Sequence, residues 1–344
     1  YRMILLAFLL LPSVIFASSP TPAIYKYLKI LLLILFSFWV KKNINLKKHL
    51  STITTTLSLS VLFQSLLALA QWFKQSSIFG YWFFGEQPFN SATANIDKIT
   101  WFTGAIKIPP MGTFPHPNVL AGFLAVTLPL ILYKGINSNI RLRTLCYTSL
   151  LLGTITLFLT FSLSAWLAFL LIGLPLTLFN HLKKSISPLK FIFIYFGFFL
   201  ILFSFATNFT FLAPASSFSR RSQLSKIAIK IIKHKPIFGI GLNNFTINME
   251  KYGHVTATTR FLQPVHNIYL LILSETGIIG FIGFLYLLFL FFRLRALEKG
   301  PFLTSGKAGP FWIALLSLLF IGLFDHYPIT IHQTILLFTF FLAL

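Results

Sequence analysis

Apolar residues occupy this chain in long blocks rather than in the short alternating stripes of a soluble fold. Blocks near 3–18, 27–40, 50–73, 118–133, 145–161, 164–179, 190–209, 267–292, 311–324 and 330–344 carry few charges, and a helix needs roughly 20 apolar residues to cross a bilayer. The pattern predicts an all-α polytopic membrane protein with about ten helical spans, several of them shorter than a full crossing. Two polar stretches interrupt it, 74–117 and 210–266. The expectation is one integral membrane domain over 1–344, with 210–266 as a large loop. The chain begins at Tyr1 without an initiator methionine and stops at Leu344 inside an apolar block, so truncation at both ends is expected and ten spans is a lower bound.

Composition agrees with this pattern. Hydrophobic residues make up 56% of the 344 positions and charged residues 10%, and mean hydropathy is +0.82, too apolar for a soluble domain of this size. Orientation follows from the short loops, because Lys and Arg close to spans stay in the cytoplasm. Loops 41–49, 134–143, 181–190 and 293–307 are rich in Lys and Arg and alternate consistently on one side. Residues 74–117 and 210–266 then face outward.

The second of these segments goes against the charge bias. It holds Arg220, Arg221, Lys226, Lys230, Lys233, Lys235, Lys251 and Arg260 against the single acid Glu250, a net of +7. Long loops are permitted such an excess. Concentrated at a membrane face, it forms an anion-binding surface, with anionic lipid headgroups as the unspecific alternative ligand.

The acids exclude much chemistry. Only Glu86, Asp97, Glu250, Glu275, Glu298 and Asp325 exist, none within ten residues of another. Neither the carboxylate set of a divalent-metal phosphate site nor the carboxylate pair of glycosidic hydrolysis is visible. Chemistry on a phosphorylated substrate would rely on Arg, Lys and backbone donors, without metal or cofactor. The single Cys146 allows no disulfide within the chain. Ion-coupled carriers place charges inside spans, and here the only acid in the predicted spans is Glu275 near an outer end, which weakens a small-anion transporter reading.

Within 210–266, Leu224, Ile227, Ala228, Ile231 and Ile232 fall on one helical face and Pro236 ends the pattern, predicting an amphipathic helix lying along the membrane interface. Arg220 and Arg221 at its start would form a compact anion site with the helix terminus. Gly239 and Gly241 suit a tight turn. Pro264 places a helix start just after it, so His266 is expected in the first turn, the best neutral general base in the segment. Glu275, nine residues on, reads as a packing partner. In the other outer segment the prolines around His116 fix an extended approach, and Asn118 can cap the following helix. Asp325 and His326 read as a structural hydrogen-bonded pair.

The order of these motifs resembles the O-antigen ligase and O-antigen polymerase superfamily. The resemblance is carried by Arg221, then Pro236-x-x-Gly-x-Gly-x-x-Asn-Phe245, then His266-Asn267 and Glu275-x-Gly-x-x-Gly280, with Gly112-Thr-Phe-x-His-Pro-Asn118-x-Leu-Ala-Gly122 upstream. It implies a GT-C-like helical bundle in the bacterial cytoplasmic membrane, with its active site on the outer face. The activity it implies is metal-independent, inverting transfer of a glycan from undecaprenyl diphosphate to a glycan, lipid or protein acceptor. Ligase, polymerase and protein O-oligosaccharyltransferase differ here only in acceptor, and nucleic acid is not an expected partner. Carried over, the diphosphate falls to Arg221, aided by Arg220 or Arg260, and the acceptor to His266, with Asn267, Asn118 and His116 in supporting roles. One position departs from the family: Leu163 stands where a Ser-Arg-x-Ala arginine is expected, which keeps an inactive assembly partner among the readings.

Overall fold

The computed structural model describes residues 2–94, 96–101, 103–136, 138–182, 187, 190, 195, 215–255, 262–297 and 309–344. The helices are α1 (Arg2–Ile15), α2 (Pro20–Asn43), α3 (Leu46–Lys74), α4 (Pro117–Ile136), α5 (Ile140–Leu159), α6 (Leu163–Ala168), α7 (Leu174–Leu182), α8 (Ala215–His234), α9 (Phe245–Tyr252), α10 (Ile268–Leu297), α11 (Gly309–Ile321), α12 (Tyr327–Thr330) and α13 (His332–Ala343). A turn of π-helix, Phe169–Gly173, joins α6 to α7. The described strands are β1 (Ile99–Thr100) and β2 (Ile106–Lys107), an antiparallel pair in which Ile99 faces Lys107.

This is an all-α membrane protein. Among the described residues, five helical stretches are long and apolar enough to cross a bilayer: Pro20–Asn43, Lys48–Lys74, Pro117–Ile136, Ile140–Leu159 and Ile268–Arg293. Ile4–Ile15, Leu163–Phe179, Phe311–Ile321 and His332–Ala343 are shorter apolar helices at predicted blocks. The predicted block 190–209 falls almost wholly outside the described residues.

The chain divides into two compact units. One comprises 45–212 and 306–321. Its centre is α4, apolar on every side and packed against α3, α5, α6 and α11. Backbones approach closely where small residues allow it: a Cβ on Gly153 of α5 would stand 2.7 Å from Leu128 and 2.8 Å from Val61. Ser149 donates to the Ser58 carbonyl at 2.9 Å across the same contact.

Residues 76–116 of this unit are held by Gln64 and Gln71, on one face of α3, and by Gln75 just past its end. Gln75 Oε1 accepts the Ile108 N–H at 2.8 Å. Gln71 Oε1 accepts from Met111 and Gly112 at 3.0 and 2.8 Å, and its amide nitrogen donates to Glu86 at 2.8 Å. Gln64 Oε1 accepts from Thr113 at 3.0 Å.

The other unit comprises 1–44, 213–305 and 322–344. Its long helix α10 breaks at Gly277, which has φ +62. The freed backbone groups are taken up by the segment after α8. Ile240 and Gly241 donate to the Ser274 and Glu275 carbonyls at 3.0 and 2.9 Å, and Ile278 donates to Pro236 at 2.9 Å. Such substitution is what backbone at membrane depth requires. Glycine is obligatory at the crossing: a Cβ on Gly239 (φ +68) would meet the Glu275 backbone at 2.4 Å, and one on Gly277 would meet Ile237 O at 2.2 Å. The Glu275 carboxylate accepts from Asn243 and Phe245 at 2.9 and 3.1 Å, capping α9.

Candidate functional site

Helix α8 carries the predicted apolar stripe. Leu224, Ile227, Ala228 and Ile231 are buried against Phe245, Met249, Val265 and Leu271, while Lys226, Lys230, Lys233 and Lys235 are exposed. The stripe is therefore spent on the protein's own core, and the expected placement flat on the membrane interface is corrected. The helix also starts at Ala215, so Arg220 and Arg221 sit in its second turn rather than at its N-terminus. The helix dipole fades within the first turn, and their affinity for an anion rests on the guanidinium groups themselves.

His266 lies before α10, not in its first turn. Asn267 is the capping residue, its Oδ1 accepting from Leu270 N at 2.9 Å. The same side chain donates to the Leu323 carbonyl at 3.0 Å, and Ile268 N donates to Gly322 O at 2.8 Å. The His-Asn pair thus fastens the start of α10 to the turn that carries Asp325.

Here three sequence-distant groups meet. His266 Nδ1 stands 3.3 Å from Asp325 Oδ1. Arg221 Nη1 donates to Phe324 O at 2.9 Å, and Arg221 Nη2 is 4.0 Å from Asp325 Oδ2. The Asp325 side chain is only 4% exposed, against 16% for His266 and 37% for Arg221. Burial pushes the Asp325 carboxyl up, but the His266 hydrogen bond and the charges of His266, His326 and Arg221 outweigh it and hold the group well below the usual carboxylate range.

Both tautomers follow from the bonding. The ionised Asp325 calls for a proton on His266 Nδ1, which leaves the Nε2 lone pair for proton acceptance. Gln263 faces that nitrogen at 3.2 Å; with Nδ1 protonated, the amide group turned toward Nε2 is the NH2, since amide oxygen and nitrogen are assigned from the bonding. Thr330 Oγ1 donates to His326 O at 3.1 Å, so it accepts from His326 Nδ1 at 2.8 Å. Asp325 Oδ1 accepts from the His326 backbone N–H at 2.8 Å. Sequence reasoning paired Asp325 with His326 alone; its approach to His266, 59 residues away, is what the structure adds.

His266, Asp325 and His326 bring one ligand atom each within 4.8 Å of one another, a set of two nitrogens and a carboxylate that suits a divalent transition metal. The Arg221 guanidinium beside Asp325 sets a fixed positive charge against such an ion. In the same unit, Leu10, Ile30, Leu271 and Phe338 line an apolar cavity whose polar members include Lys26, Glu275 and Thr330.

The remaining predicted residues stand elsewhere. His116 and Asn118 belong to the other unit, where His116 Nε2 pairs with Asp97 at 2.9 Å and His116 Nδ1 accepts from Asn118 N at 3.1 Å. The chain enters α4 through the His116 carbonyl, which accepts from Val119, with Pro117 opening the helix. Asn118 thus lies inside the first turn rather than capping it. Leu163 opens α6 and is 49% exposed. Arg260 lies outside the described residues.

Residues 148–285 match the family model described as O-antigen ligase. The matched segment takes in α8, the glycine turn, His266 and the break at Gly277, and it stops short of Asp325. No curated protein matches the chain.

Proposed function

We propose, for a chain that belongs to the O-antigen ligase superfamily, that Arg221, His266 and Asp325 serve transfer of a glycan from a lipid diphosphate, undecaprenyl diphosphate in the family it resembles, to an acceptor hydroxyl. The observation that carries this reading is the shared carboxylate: one oxygen of Asp325 faces the His266 ring and the other faces the Arg221 guanidinium. A base and a phosphate-binding cation are thereby held in fixed relation by one buried group.

In the reaction the acceptor oxygen attacks the anomeric carbon from the side opposite the diphosphate. A new C–O bond forms as the bond from that carbon to the phosphate oxygen breaks, and the configuration inverts. The acceptor proton passes to His266 Nε2, and Asp325 stabilises the resulting imidazolium. The departing diphosphate gains negative charge, which Arg221 meets with a planar fork of donors. Arg220 and Arg260 supply further cations. The apolar cavity beside Thr330 fits the hydrocarbon part of such a donor. The site acts on the outer face of the cytoplasmic membrane and needs no metal, because charge stabilisation comes from guanidinium groups.

The test is transfer in proteoliposomes with a lipid-diphosphate-linked glycan, measured before and after chelator treatment. Unchanged transfer after chelation supports the guanidinium mechanism. Loss restored by a divalent ion would assign His266, Asp325 and His326 to a metal instead.

A further inference from the structure

The segment between α3 and β1 contains the run Tyr81-Trp82-Phe83-Phe84, and most of it is not packed away. Tyr81 is 69% exposed, Trp82 77% and Phe84 76%. A polar stretch between membrane helices is expected to stand in water, where four consecutive aromatics have no place.

The backbone shows where they are. Phe83 and Phe84 lie 5.8 and 5.4 Å, ring centre to ring centre, from Phe63 of α3. Phe63 precedes the end of α3 at Lys74 by eleven residues, about 16 Å of helix. The chain leaves α3 and folds back down its side. Counted from Leu50, just past Lys47, Lys48 and His49, a hydrocarbon core of about 30 Å ends near Ala70, so Phe63 lies about 10 Å inside it.

A loop at that depth must satisfy its own polar groups, and this one pairs many of its backbone N–H groups internally. Ile78, Phe79 and Gly80 donate their N–H groups to the Glu86 carboxylate at 2.8, 2.7 and 2.8 Å. Ser77, Phe83, Gly85 and Glu86 donate to the carbonyls of Phe89, Gly80, Tyr81 and Phe83. Glu86 itself is fully buried and also bound by Gln71. Between Lys74 and Glu86 there is no charged residue.

We propose that residues 79–84 form an aromatic anchor inserted into the bilayer leaflet at the C-terminal end of α3, its partner being membrane lipid. Trp and Tyr favour the boundary between headgroups and chains, and the exposed surface of α3 at Leu59, Leu66 and Phe73 continues into these rings. Sugar stacking also uses exposed aromatics, but from Ile78 to Gly85 the run offers no polar side-chain group to bind hydroxyls beyond the Tyr81 O–H and the Trp82 N–H.

The inference does not depend on the proposed glycan transfer. The test uses the full chain in liposomes, with Cys146→Ser and either Trp82→Cys or Ser91→Cys, each labelled with a nitroxide. The label at 82 should collide more often with dissolved oxygen than with a water-soluble nickel chelate, and the label at 91 should show the reverse. In the otherwise native chain, Trp82→Phe should remove part of the tryptophan emission that brominated lipids quench. A label at 82 as open to the chelate as that at 91, with quenching unchanged in Trp82→Phe, overturns the proposal. Protection of that water-exposed label by added glycan would transfer the patch to sugar binding.

Discussion

At the residue scale the account turns on two side chains, Arg221 and His266, around the carboxylate of Asp325. Arg221→Lys keeps the charge but loses the fork, so donor binding should weaken about 10-fold or more. Lys230→Ala should leave it nearly unchanged, because Lys230 is exposed and reaches only the Tyr252 carbonyl; equal losses in a binding assay would replace a defined site by diffuse attraction to lipid. Asp325→Asn preserves shape but not charge and should cut transfer about 10²–10⁴-fold. Its stability effect has a definite sign. A carboxyl held below its unfolded value of about 3.9 stabilises the fold above that pH and ceases to do so as pH falls past it. The gap in melting temperature between wild type and Asp325→Asn should be present at about pH 5 and narrow as the pH falls below about 4. Arg221 and His266 could be singled out in the sequence because few residue types can bind a diphosphate or take a proton at neutral pH. The meeting of Asp325 with His266 could not, since nothing local marks which distant histidine an acid will face.

Among the elements, the apolar stripe of α8 was readable from its spacing, yet its destination was not. The same amphipathic pattern serves a membrane surface and a protein core, and only Phe245, Met249 and Val265 decide between them. The start of α8 at Ala215 lies upstream of the arginines, where Pro214 is a start signal in the sequence. The glycine turn held more than a tight bend: it repairs the break in α10. Gly277→Ala would place a methyl 2.2 Å from Ile237 O in a left-handed backbone, and should lower stability by roughly 1–3 kcal/mol, read as an earlier melt in detergent. A melting temperature equal to wild type would show that the turn does not bear on α10. The roles of Gln64 and Gln71 were hidden because a polar residue inside an apolar block gives no hint of what it will bind.

For the whole molecule, the apolar blocks announced a helical membrane protein, and five long helices with four shorter ones answer to them. Sidedness rests on charge: a reporter fused after Lys42 should read as cytoplasmic and one after Phe245 as external, and cytoplasmic signal from the second would remove the site from the outer face. The central claim, that this molecule moves a glycan using His266 as the base, is tested most directly with purified protein in liposomes containing undecaprenyl-diphosphate-linked glycan and an acceptor. Wild type should release undecaprenyl diphosphate as the glycan appears on the acceptor. His266→Ala should bind the donor with unchanged affinity while transfer falls by about 10²–10⁴-fold, and full transfer by His266→Ala would contradict the account.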